Sequence, residues 1–332
     1  MKSRSLGRAL VLPVAGGAAV YLAIAWWAGG RDVARDLGAF RWSAMAIGCA
    51  LALANYALRF CKWELYLRRL GIRVPLGDSL QIFLAGFSLT MTPGKVGEVL
   101  KAYLLRETHG VPMARTAPTV VAERLTDLIA LLALAIGGVG ALAAGGRTFM
   151  WFAGGLVAAI LIVASWRALV HAILDGAARL GGPDSFIGRA MPKLREFYDA
   201  MYELLRPAPL VAATALSIGA WAAECAAFWV VLHGFPGADA SLKLCTFIYA
   251  SMTIAGALSF LPGGILVQEA GMIELLMHGA RGISKPTATA ATFVVRVCTL
   301  WFAIALGIAA VLLVRRRMRV ALDAITVEAA RK

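Results

Sequence analysis

Charged side chains crowd one stretch of an otherwise apolar chain. Between Thr92 and Asp127 lie Lys95, Glu98, Lys101, Arg106, Glu107, Arg115, Glu123, Arg124 and Asp127, with long apolar runs on both sides. The stretch opens with Thr92-Pro93-Gly94-Lys95-Val96-Gly97-Glu98. A sparser counterpart appears downstream as Pro262-Gly263-Gly264-Ile265-Leu266-Val267-Gln268-Glu269, followed by Arg296. A charge at the bilayer centre costs roughly 2.5–3.5 kcal/mol on insertion scales, so such residues face a cavity, a partner or a substrate path.

The chemistry these residues could do is recognition of an anionic headgroup. Arg and Lys are the natural partners of phosphate, and Arg can bind it bidentately. Gly94 and Gly97 would let backbone N–H groups approach phosphate, and a helix beginning at Glu98 would add a positive dipole end. Lys95, Lys101 and Arg124 are the leading headgroup contacts, with Arg296 the contact from the second segment. Pro93, Pro262, Gly263 and Gly264 mark the chain breaks. The carboxylates Glu98, Glu123, Asp127 and Glu269 could hold those bases in place or carry a proton that drives transport. Glu123 and Asp127, four apart on one helix face, read as a structural ion-pair network. For Glu269, pairing and proton coupling both stay open. Arg59, Lys62 and Arg106 read as interfacial anchors whose long stems snorkel to headgroups.

The elements that must position these groups are membrane helices. Of 332 residues 60% are hydrophobic, and mean hydropathy is +0.76. Several apolar runs approach the roughly 20 residues a spanning helix needs. They do not alternate as barrel strands would. A net charge of +14 would suggest nucleic acid in a soluble protein. Here the basic residues cluster at helix ends, where they set orientation and meet anionic lipid, so no nucleic-acid partner is expected.

Along the chain, Lys2, Arg4 and Arg8 precede a first helix over Ala9–Ala28, and a loop with Arg31, Asp32, Arg35 and Asp36 leads to a second over Trp42–Leu67. Leu80–Thr92 is too short to span and ends at Pro93-Gly94. With the polar helix Glu98–Arg106 it reads as a re-entrant hairpin, since irregular backbone at depth must be buried in protein or line a cavity. Pro118 is expected to begin a third helix reaching Ala144, and a fourth covers Phe149–Val170. An amphipathic interfacial helix follows at 184–206, then a fifth span over Pro209–Leu232. A second hairpin comprises Leu244–Leu261 and Ile265–Met277, and the last helix runs over Thr287–Val314. Basic clusters at Arg59–Arg73 and Arg315–Arg319 put both termini in the cytoplasm.

The expectation is thus one integral all-α domain over 1–332, with six spanning helices and two re-entrant hairpins. The halves, 42–145 and 209–314, share an order: span, hairpin broken at Pro-Gly, a Glu, then a helix holding an Arg. Helix parity makes them inverted repeats, an arrangement that in transporters gathers broken helices around a midplane substrate site.

On these residues the sequence resembles the transmembrane flippase-like region of lysylphosphatidylglycerol synthases. The carrying features are Pro93–Glu98, the run Val121-Ala122-Glu123-Arg124-Leu125-Thr126-Asp127, Pro262–Glu269 and Arg296. The resemblance implies a bacterial inner-membrane protein that moves an anionic phospholipid or polyprenyl-phosphate-linked molecule between leaflets. It covers nearly the whole chain and leaves out the soluble aminoacyl-transferase domain, so synthesis of lysyl-lipid is not expected. Leu266 stands where members often carry Gly, and Thr90 near where many carry Asn.

Two other classes remain open: a membrane-embedded lipid-modifying transferase, and a scaffold for an envelope-biosynthesis enzyme. His109, His171, His233 and His278 show no HxxxD or HExxH spacing. Cys49, Cys61, Cys225, Cys245 and Cys298 form no CxxC pair, so no metal or cofactor is expected. No P-loop is present; energy would come from a gradient or a partner, or transport is passive. A homo-oligomer is compatible with all three.

Overall fold

A computed structural model describes residues 16–91, 99–138, 166–181 and 185–314, together with positions 151, 154, 155, 158, 159 and 162. The described residues are helical, with no strand beyond a single bridge between Asp239 and Arg281. In chain order the helices are α1 (Gly16–Trp27), α2 (Gly30–Gly38), α3 (Trp42–Arg69), α4 (Leu76–Ala85), α5 (Leu100–His109) and α6 (Met113–Gly138). There follow α7 (Arg167–Gly181), α8 (Phe186–Leu204), α9 (Pro207–Leu232), α10 (Leu242–Leu258), α11 (Val267–Gly279) and α12 (Lys285–Val314).

Among the described residues three helices, α3, α9 and α12, are long and apolar enough to cross a membrane, at 28, 26 and 30 residues. At about 1.5 Å per residue each exceeds a hydrocarbon core of roughly 30 Å. Their lipid-like exteriors carry exposed Leu53, Val211, Leu312 and Leu313. Their interiors are small: Ala213, Ser217 and Ala220 of α9 recur at helical spacing and are fully buried. Small residues let backbones approach in a solvent that offers no hydrophobic drive. α3 and α9 pack along each other, and Asn55 Nδ2 donates to the Ala220 carbonyl at 2.8 Å between them. α6 packs against α8, α9 and α10.

Serines cap several helices as their side chains allow. Ser185, Ser241 and Ser284 accept from Gly188, Leu244 and Thr287 backbone N–H groups, satisfying donors that open α8, α10 and α12. α8 packs on α6 and α7 with Met191, Tyr198 and Met201 buried.

Some boundaries differ from expectation. Residues read as a loop form α2, where Arg35 pairs with Asp32 one turn earlier at 2.8 Å. The third helix starts at Met113, so Pro118 lies inside α6 rather than opening it. Pro118 is still within two turns of the start, where few i−4 carbonyls are lost to it. The backbone is not helical at Trp166, and α7 begins afresh at Arg167, where a fourth helix running to Val170 was expected; most of that helix lies outside the described residues.

Two breaks organise the interior. α4 tightens into a 3-10 turn over Gly86–Leu89 and reaches Met91, beyond which the motif Thr92–Glu98 lies outside the described residues. α10 ends at Leu258 and passes through a 3-10 turn, Pro262–Gly264, before α11. Gly263 and Gly264 take φ of 64° and 68°, and a Cβ on Gly264 would meet the Gly256 backbone at 3.1 Å. Glycine is required there on both counts. The approaches to both breaks meet in a small buried cluster of Met91, Ile265, Leu300 and Ile304. α12 closes over them, bringing Gly307 so near the 3-10 turn that a Cβ would lie 2.2 Å from Ser88 N.

Candidate functional site

A cation-rich cluster lies where α3, α5, α6 and α9 meet. Lys62 Nζ donates to Asp127 Oδ1 at 2.6 Å and to Ser217 Oγ at 2.7 Å, and Ser217 also donates to Asp127 Oδ1 at 2.9 Å. One turn earlier Arg59 Nη2 reaches Glu123 Oε1 at 2.8 Å, and Lys101 Nζ takes Glu123 Oε2 at 2.7 Å. Lys62 and Glu123 are 1% and 2% exposed, so these charges are held by one another rather than by water. Lys101 lies over the Trp63 and Phe83 rings at 4.9 and 5.5 Å, and its stem fills the space a Cβ on Gly86 would occupy. Three cations thus share two carboxylates.

Arg59 and Lys62 are not interfacial anchors. They point inward because α3 presents a polar stripe, Asn55, Arg59, Lys62 and Tyr66, spaced four, three and four residues apart. That stripe was the available signal: helical spacing places all four on the face packed against α6 and α9. Arg106 is exposed.

The second cluster holds the Pro262–Gly264 break. Arg296 Nε donates to Glu269 Oε1 at 2.7 Å, Nη1 to Gln268 Oε1 at 3.0 Å, and Nη2 to the Gly263 carbonyl at 2.8 Å. Glu269 is fully buried; its other oxygen accepts the Leu266 N–H at 2.7 Å, and Tyr21 of α1 donates to Oε1 at 3.1 Å. Gln268 continues to Thr253 at 3.0 Å. A neighbouring network, in which Tyr249 donates to Glu224 at 2.8 Å and lies 3.3 Å from Thr299, joins α9, α10 and α12. Glu224 stood out in the fifth helix without an assigned role, and Tyr21, Tyr249 and Ser217 were not singled out from sequence; lone neutral polar residues in apolar helices carry no spacing signal of their own.

Between the clusters lies a cleft of about 160 Å³. Thr90 and Arg124 line it together with Thr253, Gly263, Gln268 and Arg296. Phe260 and Leu261 stand at its edge, both exposed. Of the site residues expected from sequence, Arg124, Arg296, Gly263 and Gly264 border this cleft, while Lys101, Glu123 and Asp127 sit in the first cluster and Glu269 beneath the second break. Pro262 opens the 3-10 turn. Pro93, Gly94, Lys95, Gly97 and Glu98 lie outside the described residues. Among the described residues no three His, Cys, Asp or Glu side chains converge as metal ligands.

The sequence has relatives. The model of the lysylphosphatidylglycerol synthase TM region matches residues 14–307. The chain is also 26% identical over 281 residues to a UPF0104 membrane protein of Methanothermobacter thermautotrophicus, covering 79% of this chain and 81% of that one. The chain belongs to the lysylphosphatidylglycerol synthase transmembrane family and is a multi-pass helical membrane protein.

Proposed function

We propose that this member of the lysylphosphatidylglycerol synthase transmembrane family translocates a phosphate-bearing lipid between membrane leaflets. The observation that carries the reading is the cleft at the junction of the two breaks. Two arginines, Arg124 of α6 and Arg296 of α12, border one small and otherwise largely apolar cleft inside the helical body. A headgroup leaving water needs its hydration replaced, and guanidinium groups are suited to a phosphate. Irregular backbone beside the cleft fits the same reading, because such backbone is tolerated at depth where it lines a cavity.

The substrate class is an anionic phospholipid or a polyprenyl-phosphate-linked molecule, and the setting is the inner membrane of a bacterium. In this reading both breaks are tips of re-entrant hairpins, the two halves are inverted repeats with six spans, and both termini are cytoplasmic. Lys95, Gly94 and Gly97 of the motif Pro93–Glu98 are proposed as further contacts to the headgroup. The ion pairs of Glu123, Asp127 and Glu269 hold the frame.

The test is leaflet exchange in proteoliposomes made with purified protein and head-labelled phospholipids or polyprenyl phosphates. Wild type is expected to equilibrate at least one class, and Arg124→Ala or Lys95→Ala to slow it at least tenfold. Folded wild-type protein that moves none of them, with or without an imposed proton gradient, overturns the proposal.

A further inference from the structure

The rim of the second break combines two features that natural chains avoid. Phe260 and Leu266 are the two non-glycine residues with positive φ among the described residues, at 54° and 80°. Both are large apolar side chains, and both are exposed, Phe260 at 70%. Left-handed backbone is unfavourable for residues with a bulky Cβ substituent, and single strained positions persist where the surroundings impose them, often at ligand sites. Here strain is spent in holding apolar side chains outward. Phe260 and Leu261 border the same cleft as Arg124, Gln268 and Arg296, the polar groups of an otherwise largely apolar lining.

An amphiphile matches that arrangement. A cleft of about 160 Å³ admits a small polar head and has no room for hydrocarbon chains, so the chains of any lipid bound there must leave over the rim. Phe260 and Leu261 supply an exposed apolar lip at that place, with exposed Leu258 and Leu266 nearby in the chain. We infer that this lip is the lateral portal of the cleft, along which the chains of a membrane lipid lie while its anionic head sits between Arg124 and Arg296. The inference rests on the translocation reading for its purpose, while its geometry can be tested separately.

Two experiments do so. A photoreactive benzoylphenylalanine is placed at Phe260 in one protein and at Leu312, exposed on α12 away from the cleft, in another. Both proteins are reconstituted with radiolabelled phosphatidylglycerol. Cross-linking at position 260 is expected to fall at least fivefold when Arg124→Gln is added or when a neutral diacylglycerol replaces the labelled lipid, and cross-linking at 312 to stay unchanged. Equal dependence at the two positions overturns the portal, whether or not the protein exchanges lipid. Headgroup-dependent labelling in a protein that moves no lipid supports the portal and counts against translocation instead.

The second experiment uses Phe260→Asn. Asn is at ease at positive φ, so the variant relieves the backbone while removing the apolar surface. Its thermal midpoint is expected to hold or rise, and leaflet exchange to fall at least fivefold. Unchanged exchange in that folded variant overturns a role for the lip in lipid passage.

Discussion

Arg296 holds the carbonyl of Gly263 at 2.8 Å, and this contact sets the shape of the second break. The same guanidinium binds Glu269 and Gln268, so one side chain ties the turn to the first residues of α11. Removing one partner from a buried pair leaves an uncompensated charge and costs about 3–5 kcal/mol. Arg296→Ala is therefore expected to unfold at much lower temperature in detergent. Arg296→Lys, a point charge without the planar fork, should recover only part of the loss. A Lys variant with wild-type stability would show that the fork geometry is dispensable.

Leu266 at φ 80° and ψ −55° predicts a stabilising substitution. A non-glycine residue held in such a region stores about 1–3 kcal/mol, while glycine adds roughly 0.5–1 kcal/mol of unfolded-state entropy. Leu266→Gly should thus raise the thermal midpoint, and Leu266→Val, β-branched, should lower it. A fall in stability for the glycine variant would mean that the exposed leucine makes contacts worth more than its strain.

Lys62 and Asp127 behave as a buried pair, with Ser217 the third member. Lys62→Met alone and Asp127→Asn alone are each expected to cost about 3–5 kcal/mol, and the double variant far less than the sum. A double-mutant cycle by chemical or thermal unfolding in micelles reads the coupling. Additive losses would show that the two charges answer to other partners.

Gly307 has no room for a side chain against Ser88. Gly307→Ala should shift α12 off the 3-10 turn and cost about 1–3 kcal/mol, as other overpacked positions do. Gly16, with nothing near its Cβ position, is the matched control and should tolerate alanine. Equal stabilities for the two variants would contradict the close approach.

Much of this molecule can be read from its residues. The helices expected from Leu244 and Thr287 begin two residues earlier, at Leu242 and Lys285, and the turn at Pro262–Gly264 is marked by its glycines. Arg296, Glu269 and Arg124 stood out because a charge in an apolar run demands a reason. What stayed hidden is pairing across helices. Nothing in the local order of residues tells Lys62 that its carboxylate lies 65 positions away, and its place near a basic helix end made snorkelling the natural reading. Pro118 misled for the opposite reason, since a proline near a helix start marks a boundary only when the turn before it is irregular. α2 escaped notice because its nine residues are too few for a clear period.

The π stretch Val297–Trp301 follows Arg296 directly. Each wide turn accommodates one residue more than an α turn, so the helix beyond it is rotated by roughly a quarter turn from where an unbroken α-helix would point. α12 therefore has two phases. Its first half addresses Gly263 and Glu269 through Arg296, and its second half addresses Ser88 through Gly307. The same sequence wound as an unbroken α-helix through this stretch would swing one of these two faces out of register. A single rod serves two differently oriented neighbours by carrying its own phase shifter between them.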